Sequence, residues 1–175
     1  MITIKSFKIK NREILIAVIF DKKIQGVTFS FDGREFLQER MTSLTQYLQK
    51  RGVNVELEEK ESSFPELVYK ILIGDIENKK GLKDLSFEGT TAFEKKVYDT
   101  LTKKVKRGEV ITYGNLAKML RSSPRAIGGA MKRNPYPIIV PCHRVIASNN
   151  IGNYTPKREY KRFLLEIEGV KKWIS

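Results

Sequence analysis

Thr112-Tyr113-Gly114-Asn115-Leu116-Ala117-Lys118-Met119-Leu120-Arg121-Ser122-Ser123-Pro124-Arg125-Ala126-Ile127-Gly128-Gly129-Ala130-Met131-Lys132-Arg133 spells two short helices and the turn between them. Thr112 is an N-cap residue for a helix over Tyr113–Leu120, and Arg121-Ser122 turns the chain. Ser123 supplies a second N-cap, with Pro124 at the first helical position, where a missing N–H costs nothing. That helix runs to about Arg133, and the pair is a helix-turn-helix. Each interior glycine costs about 1 kcal/mol relative to alanine, so Gly128-Gly129 needs a reason. One reason is close approach of the backbone to a nucleic-acid groove, with Arg125, Lys132 and Arg133 as a basic rim for phosphates. The other is tight packing against a neighbouring helix, and the two stand level. Ala126, Gly128, Gly129 and Ala130 cannot read the hydrogen-bond code of the major groove. A minor-groove mode with little sequence preference and Arg125 as the inserted side chain fits this helix better.

Downstream, Asn134-Pro135-Tyr136-Pro137-Ile138-Ile139-Val140 leads into Pro141-Cys142-His143-Arg144. Cys142 and His143 are the only cysteine and the only histidine of the chain. A lone thiol beside the one side chain that titrates near neutrality is a nucleophile candidate, although a single cysteine is often only a small buried hydrophobe. Proline bracketing and β-branching predict an extended Ile138–Val145. In an extended segment neighbouring side chains point to opposite faces, so a Cys142–His143 relay needs a bend or a bridging water. A carboxylate must then orient the imidazole, and Glu159, Glu166 and Glu168 are near in sequence. Tyr113 and Tyr154 each read more readily as core than as site residues, although the turn-like Gly152-Asn153 before Tyr154 points to a pocket wall; Asn134 is placed to fix a turn, and Trp173 reads as a packing residue. A final helix is expected from about Pro156 to Glu168, stopped by Gly169.

Upstream, Thr91-Ala92-Phe93-Glu94 is a capping box opening a helix that ends near Arg107-Gly108, with Phe93, Val97, Tyr98 and Leu101 on one face. Further back, Thr3–Lys10, Glu13–Phe20 and Ile24–Phe31 read as antiparallel strands, the last two joined at Asp21-Lys22-Lys23. Arg34–Lys50 reads as a helix carrying Leu37, Met41, Leu44 and Leu48, with Gly52 after it. A short helix follows Ser63-Phe64-Pro65-Glu66, which has capping-box spacing, and Gly74–Asp84 reads as a polar loop. The fold class is therefore α+β: a strand-rich scaffold domain over residues 1–88 and a mainly helical domain over 89–175.

Charge divides the same way. Residues 1–90 hold 15 Lys/Arg against 14 Asp/Glu, while residues 91–175 hold 18 against 6, which points to a polyanion or to a solvated basic face. One cysteine excludes an internal disulfide, and one cysteine with one histidine leaves too few ligands for structural zinc. The longest apolar run of the first half, Ile14–Phe20, is too short to span a bilayer. The expectation is a cytoplasmic, monomeric protein without metal or cofactor.

Taken together, Arg107-Gly108-Glu109-Val110-Ile111-Thr112-Tyr113, Arg125-Ala126-Ile127-Gly128-Gly129-Ala130-Met131, Asn134-Pro135, Pro141-Cys142-His143-Arg144-Val145-Ile146 and Gly152-Asn153-Tyr154 closely resemble the methylated-DNA–protein-cysteine methyltransferases, the O6-alkylguanine-DNA alkyltransferases. The resemblance spans roughly residues 91–169, in the family order and spacing. It implies a protein that binds double-stranded DNA containing O6-alkylguanine, flips the damaged base and takes its alkyl group once, irreversibly, onto Cys142. It further implies that His143 takes the thiol proton through a water and that Glu168 orients His143. Tyr113 would share a proton with the leaving guanine, and Asn134 would hold the turn before the active segment. Arg125 would fill the space left by the base. Tyr154, the Thr155 backbone and the carbonyls of Cys142 and Val145 would line the pocket.

Other classes remain at this point. A damage sensor on the same scaffold would lack the cysteine, a helix-turn-helix regulator would need base-reading side chains, and a Cys–His hydrolase would turn over on esters or amides. One departure from the family generates a prediction. Many relatives place two glycines after the residue matching Thr155, whereas this chain has Pro156-Lys157, a stiffer and bulkier rim. Free O6-benzylguanine should inactivate the protein far more slowly than methylated duplex DNA does; equal rates in a competition assay would refute this.

Overall fold

The structure, a computed structural model, describes residues 1–171, so Trp173 lies outside the described residues. Strands β1 (Ile2–Ile9), β2 (Arg12–Phe20) and β3 (Ile24–Ser30) form an antiparallel sheet in that order. Its central strand explains the unbroken apolar run Ile14–Phe20. Ile14, Ile16, Val18 and Phe20 face the main core, while Leu15, Ala17 and Ile19 face a second cluster with Leu37, Met41 and Leu48 of helix α1 (Arg34–Lys50). An antiparallel strand reads as continuously apolar when both sheet faces are covered, since alternation marks a face left to solvent.

Helix α2 (Phe64–Leu72) covers the main-core face with Val68, Ile71 and Leu72. The capping box expected at Ser63 is not formed: Ser63 has φ −83° and ψ 0°, outside the extended geometry a cap needs, and Ser62 Oγ instead accepts from the Phe64 N–H at 3.1 Å. The expected loop Gly74–Asp84 contains a 3₁₀ helix over Asn78–Asp84 with Asn78 and Gly81 buried, so it is part of the packed structure. A side chain at Gly81 would meet Ile139 at 2.9 Å, and glycine is what lets this turn lie directly on Ile139.

Helix α3 (Ala92–Lys104) has the expected capping box in full, with Glu94 N bonded to Thr91 Oγ1 and Thr91 N to Glu94 Oε1. It stops at Lys104, short of Arg107, and its buried face is Glu94, Val97, Tyr98, Leu101 and Thr102. Phe93 is exposed, because its position in the first turn lies off that face. Strand β4 (Ile111–Thr112) leads into α4 (Tyr113–Met119) and α5 (Pro124–Lys132), capped by Thr112 and Ser123 as the sequence indicates. Strand β5 (Val145–Ile146) pairs in parallel with β4, and α6 (Arg158–Ile167) closes the described chain. The extended Ile138–Val145 is a correction. Ile138 has φ +75°, Cys142–Arg144 is a 3₁₀ turn, and only Val145–Ile146 is strand.

The core does not divide at residue 88. One cluster runs from Ile14 and Val18 through Tyr98, Leu116 and Ile127 to Tyr160 and Leu164. Val27 N donates to Pro135 O at 2.8 Å, and buried Tyr160 donates to Asp32 at 2.6 Å while accepting from Phe31 N at 3.0 Å. Glu94 is the other junction. Its carboxylate is only 2% exposed and takes a bidentate grip from Arg51 (2.8 and 3.0 Å) and a bond from Arg133 Nε (2.7 Å). Burial alone would raise this carboxyl, but Arg51, Arg133 and the Thr91 N–H hold it down at about 2. The depressed value means stability that is present above the ordinary carboxyl range and lost as pH falls through about 2. Glu94→Gln should cost about 3 kcal/mol in guanidinium unfolding at pH 7. The cost should shrink as pH is lowered toward 3; a difference independent of pH would contradict this account.

Candidate active site

Cys142, His143 and Arg144 are three consecutive residues that must point to three places. A 3₁₀ turn, with three residues per turn, spreads them about 120° apart. Cys142 Sγ faces a cleft, while His143 and Arg144 converge on Glu168 at the end of α6. His143 Nε2 lies 2.7 Å from Glu168 Oε1, and Arg144 grips both carboxylate oxygens at 2.9 Å. The rest of the Arg144 fork is bonded to Val105 O at 2.9 Å and Asn78 Oδ1 at 3.0 Å. All three side chains are at most 4% exposed.

These contacts fix protonation. Burial would raise the Glu168 carboxyl, yet His143 and Arg144 overcome it and hold the group well below the usual carboxylate range. An ionised carboxylate only accepts, so Nε2 carries the imidazole hydrogen and Nδ1 presents its lone pair. Nδ1 is buried and has no hydrogen-bond partner among the described residues. Burial pushes His143 below its ordinary value despite the opposing pull of Glu168, so the ring is neutral at pH 7. Burial also raises the Cys142 thiol, while Asn134, Tyr154 and Lys161 favour its ionised form.

The cleft in front of the thiol has a volume of about 1200 Å³. Tyr113, Arg125, Gly128, Lys132, Arg133, Asn134, Cys142, Tyr154 and Thr155 all line it. Asn134 donates to Val140 O at 3.0 Å and accepts from Tyr136 N at 2.9 Å, pinning the turn before the nucleophile. Tyr154 Oη lies 3.8 Å from the sulfur. Arg125, Gly128 and Lys132 recur at helical spacing on one face of α5. A Cβ on Gly128 would meet nothing within 4 Å, and one on Gly129 would meet only the Arg133 guanidinium. Helix packing therefore does not explain the glycine pair, and Gly128 opens bare backbone to the cleft.

Of the other expected ligand-facing residues, Ala126 turns off the Arg125–Lys132 face and does not line the cleft. Gly129 lies one turn from Arg125 on the same side of α5, but the Arg133 guanidinium stands over it. Ala130 is fully buried, with its carbonyl taken by Tyr98 Oη at 2.8 Å, so it is a packing residue. Val145 is fully buried and its carbonyl accepts Lys161 Nζ at 2.6 Å. Of the other acidic candidates, Glu159 pairs with Arg12 and Glu166 is exposed. Lys157 turns away from the cleft to Asp32 at 3.0 Å, leaving Pro156 on the rim.

Lys161 was not visible as a site residue in the sequence. It is fully buried, donates to Val145 O and Asn153 O, and lies 3.4 Å from Tyr113 Oη. Burial brings its ammonium down to about 8. An ammonium only donates, so Tyr113 Oη accepts from it and the phenolic hydrogen is left for the cleft. Burial keeps that phenol protonated. The available signal was spacing, since Lys161, Leu165 and Glu168 share one helical face. The opposite cleft wall, with Arg40, Ser43, Leu44 and Tyr47 of α1, was also missed because it belongs to the half read as scaffold.

A single buried thiol faces a cleft walled by a helix-turn-helix, and the imidazole of the next residue is paired with a buried carboxylate, a set of groups suited to a cysteine nucleophile that faces nucleic acid. The family comparisons agree. The model described as "Methylated DNA-protein cysteine methyltransferase, N-terminal" matches residues 1–88, and that described as "6-O-methylguanine DNA methyltransferase, DNA binding domain" matches residues 92–170. The chain belongs to the methylated-DNA–protein-cysteine methyltransferase family. It is 78% identical to the Thermococcus sibiricus methylated-DNA–protein-cysteine methyltransferase over the full length of both chains. It is similar to the crystal structure of the O6-methylguanine-DNA methyltransferase of the hyperthermophilic archaeon Pyrococcus kodakaraensis, with TM-score 0.95 and 56% identity over 97% of this chain and 100% of that one. The corresponding Methanococcus jannaschii structure matches with TM-score 0.61 and 30% identity over 95% and 94%.

The sulfur's surroundings generate a prediction. Iodoacetamide should alkylate Cys142 with a pH midpoint above 9, the ordinary value for the thiol. Tyr154→Phe, which removes a donor to the thiolate, should move the midpoint higher still; a wild-type midpoint below 8 would refute the assignment.

Proposed function

We propose that this protein repairs DNA by a single, irreversible transfer of an alkyl group, in the simplest case methyl, from O6-alkylguanine to its own Cys142. The observation that carries the reading is the Cys142–His143–Glu168 arrangement at the base of a cleft walled by the helix-turn-helix. The duplex lies against α5 through its minor groove, with Gly128 allowing close approach, Lys132 and Arg133 near phosphates, and Arg125 filling the gap left by the flipped base. Sequence preference is low, because α5 offers the groove small side chains and phosphate-binding cations. The monomeric chain acts inside the cell, where its thiol stays reduced.

The Cys142 thiol gives its proton through a water to His143 Nδ1, and Glu168 stabilises the imidazolium that forms. The sulfur attacks the alkyl carbon, the bond from that carbon to guanine O6 breaks, and a thioether is left on Cys142. Tyr113 shares its proton with the departing guanine while Lys161 steadies the phenolic oxygen. Tyr154 and the Thr155 backbone flank the base, and Asn134 keeps the sulfur aligned. The carbonyl of Val145 acts through Lys161, to which it is bonded, instead of facing the base. The division of labour is a scaffold over residues 1–88 and a DNA-binding, alkyl-accepting part over 89–175, with α1 lending the cleft its far wall.

Mixing the protein with an equimolar duplex carrying one O6-methylguanine should add one methyl in place of one hydrogen, mapped by peptide mass spectrometry to Cys142 and absent in Cys142→Ser. The transfer rate should hold steady through neutrality and fall only below about pH 6.5, because His143 must be protonated before the base is lost. Binding without mass gain would make the protein a damage sensor; repeated turnover of an ester would make it a hydrolase.

A further inference from the structure

Asn78 stands outside the cleft, in the half of the chain read as scaffold, yet it holds both parts of the reacting apparatus. It opens the 3₁₀ helix Asn78–Asp84 and is 8% exposed. Its Nδ2 donates to Ile138 O at 2.8 Å and Ile139 O at 3.1 Å. Its Oδ1 accepts from Arg144 Nη2 at 3.0 Å. This orientation is the one chemistry permits, since two carbonyls require a donor and a guanidinium requires an acceptor.

Each bond acts on something that matters. Ile138 is a β-branched residue at φ +75°, a conformation that costs on the order of 1–3 kcal/mol and persists only where its surroundings impose it. The Asn78 amide is a bond to that strained carbonyl, and Asn134 pins Val140 two residues later, so the path from Ile138 to Cys142 is gripped from both sides. Through Oδ1, Asn78 fixes the Arg144 fork, which holds both oxygens of Glu168, which in turn holds His143 Nε2. Gly81 keeps the 3₁₀ helix against Ile139, so the amide cannot drift away.

We infer that Asn78 is a positioning residue for alkyl transfer: its amide sets the backbone that aims the Cys142 sulfur, and its carbonyl sets the Arg144–Glu168 pair that orients His143. The inference rests on the proposed transfer reaction and gives residues 1–88 a direct part in it. Small misplacement of reacting groups can slow a step about 100-fold, so the effect belongs to chemistry and leaves duplex affinity alone.

The test separates these terms. Wild-type protein and Asn78→Ala are mixed with methylated duplex, and duplex affinity and the first-order transfer rate are measured apart. The alanine variant should bind within twofold of wild type and transfer about 10- to 100-fold more slowly. Because His143 is the only histidine, its imidazole NMR signals need no assignment by mutation. In Asn78→Ala the Nε2–H signal should shift and exchange faster with water. Asn78→Asp keeps the acceptor for Arg144 and loses the donor to Ile138 and Ile139, so it should slow transfer while leaving the His143 signals near those of wild type. A folded Asn78→Ala with wild-type transfer rate and wild-type His143 signals overturns the inference. Should alanine not fold, an Asn78→Asp protein that transfers at the wild-type rate overturns it equally. If wild type itself transfers nothing, the reaction is wrong, while the His143 signals of the variants still decide whether Asn78 orients the imidazole.

Discussion

A carboxylate buried to 4% exposure is tolerable only if its charge is answered on every side, and Glu168 is answered by Arg144 and His143. Much of the second half follows from that requirement. Helix α6 ends where Glu168 meets the Arg144 guanidinium and the His143 N–H, and the segment before β5 coils into a 3₁₀ turn so that neighbours in sequence can face different directions. The imidazole tautomer is set by the same carboxylate. Losing any one of the three leaves an unpaired group in the core, which costs several kcal/mol. The arrangement is therefore as much a folding constraint as a chemical one.

The two halves are bound by more than a shared apolar core. Glu94 ties the end of α1 to α3 and α5, Tyr160 of α6 ties itself to Asp32, and Asn78 reaches the reacting segment. Each of these is a buried polar group from one half satisfied by the other, so separating the halves would orphan charges and hydrogen bonds. The cleft has walls from both, with α5 on one side and α1 on the other.

What the sequence made legible was local chemistry. Capping at Thr91, Thr112 and Ser123 and the helical spacing of Leu37, Met41 and Leu48 were readable because such signals lie within a turn or two of their effect. The Cys142–His143 pair announced itself by being unique. Ser63 misled because the spacing of a capping box does not guarantee the backbone dihedrals that form one. The extended reading of Ile138–Val145 failed because β-branched residues were counted by propensity, whereas the backbone there is held by side-chain amides, that of Asn78 coming from far off in sequence and that of Asn134 from nearby. Lys161 and Arg144 were hidden for a related reason. A charged residue is assumed to seek water until its partners are known, and theirs come from elements that are distant or unformed in a linear reading.

The raised affinity of the Cys142 sulfur for its proton has a consequence for how such a molecule ages. In the proposed reaction the thiol is spent once and never regenerated, so every encounter with a stray oxidant or soluble electrophile would subtract a molecule from the useful pool. Thiols react with these agents mainly as thiolates. Keeping the sulfur dry and protonated at rest makes it indifferent to that chemical noise. A target seated between Tyr113 and Tyr154 would meet the groups that favour ionisation. Dormancy between encounters, and not nucleophilic strength, is what then preserves the stock of working protein.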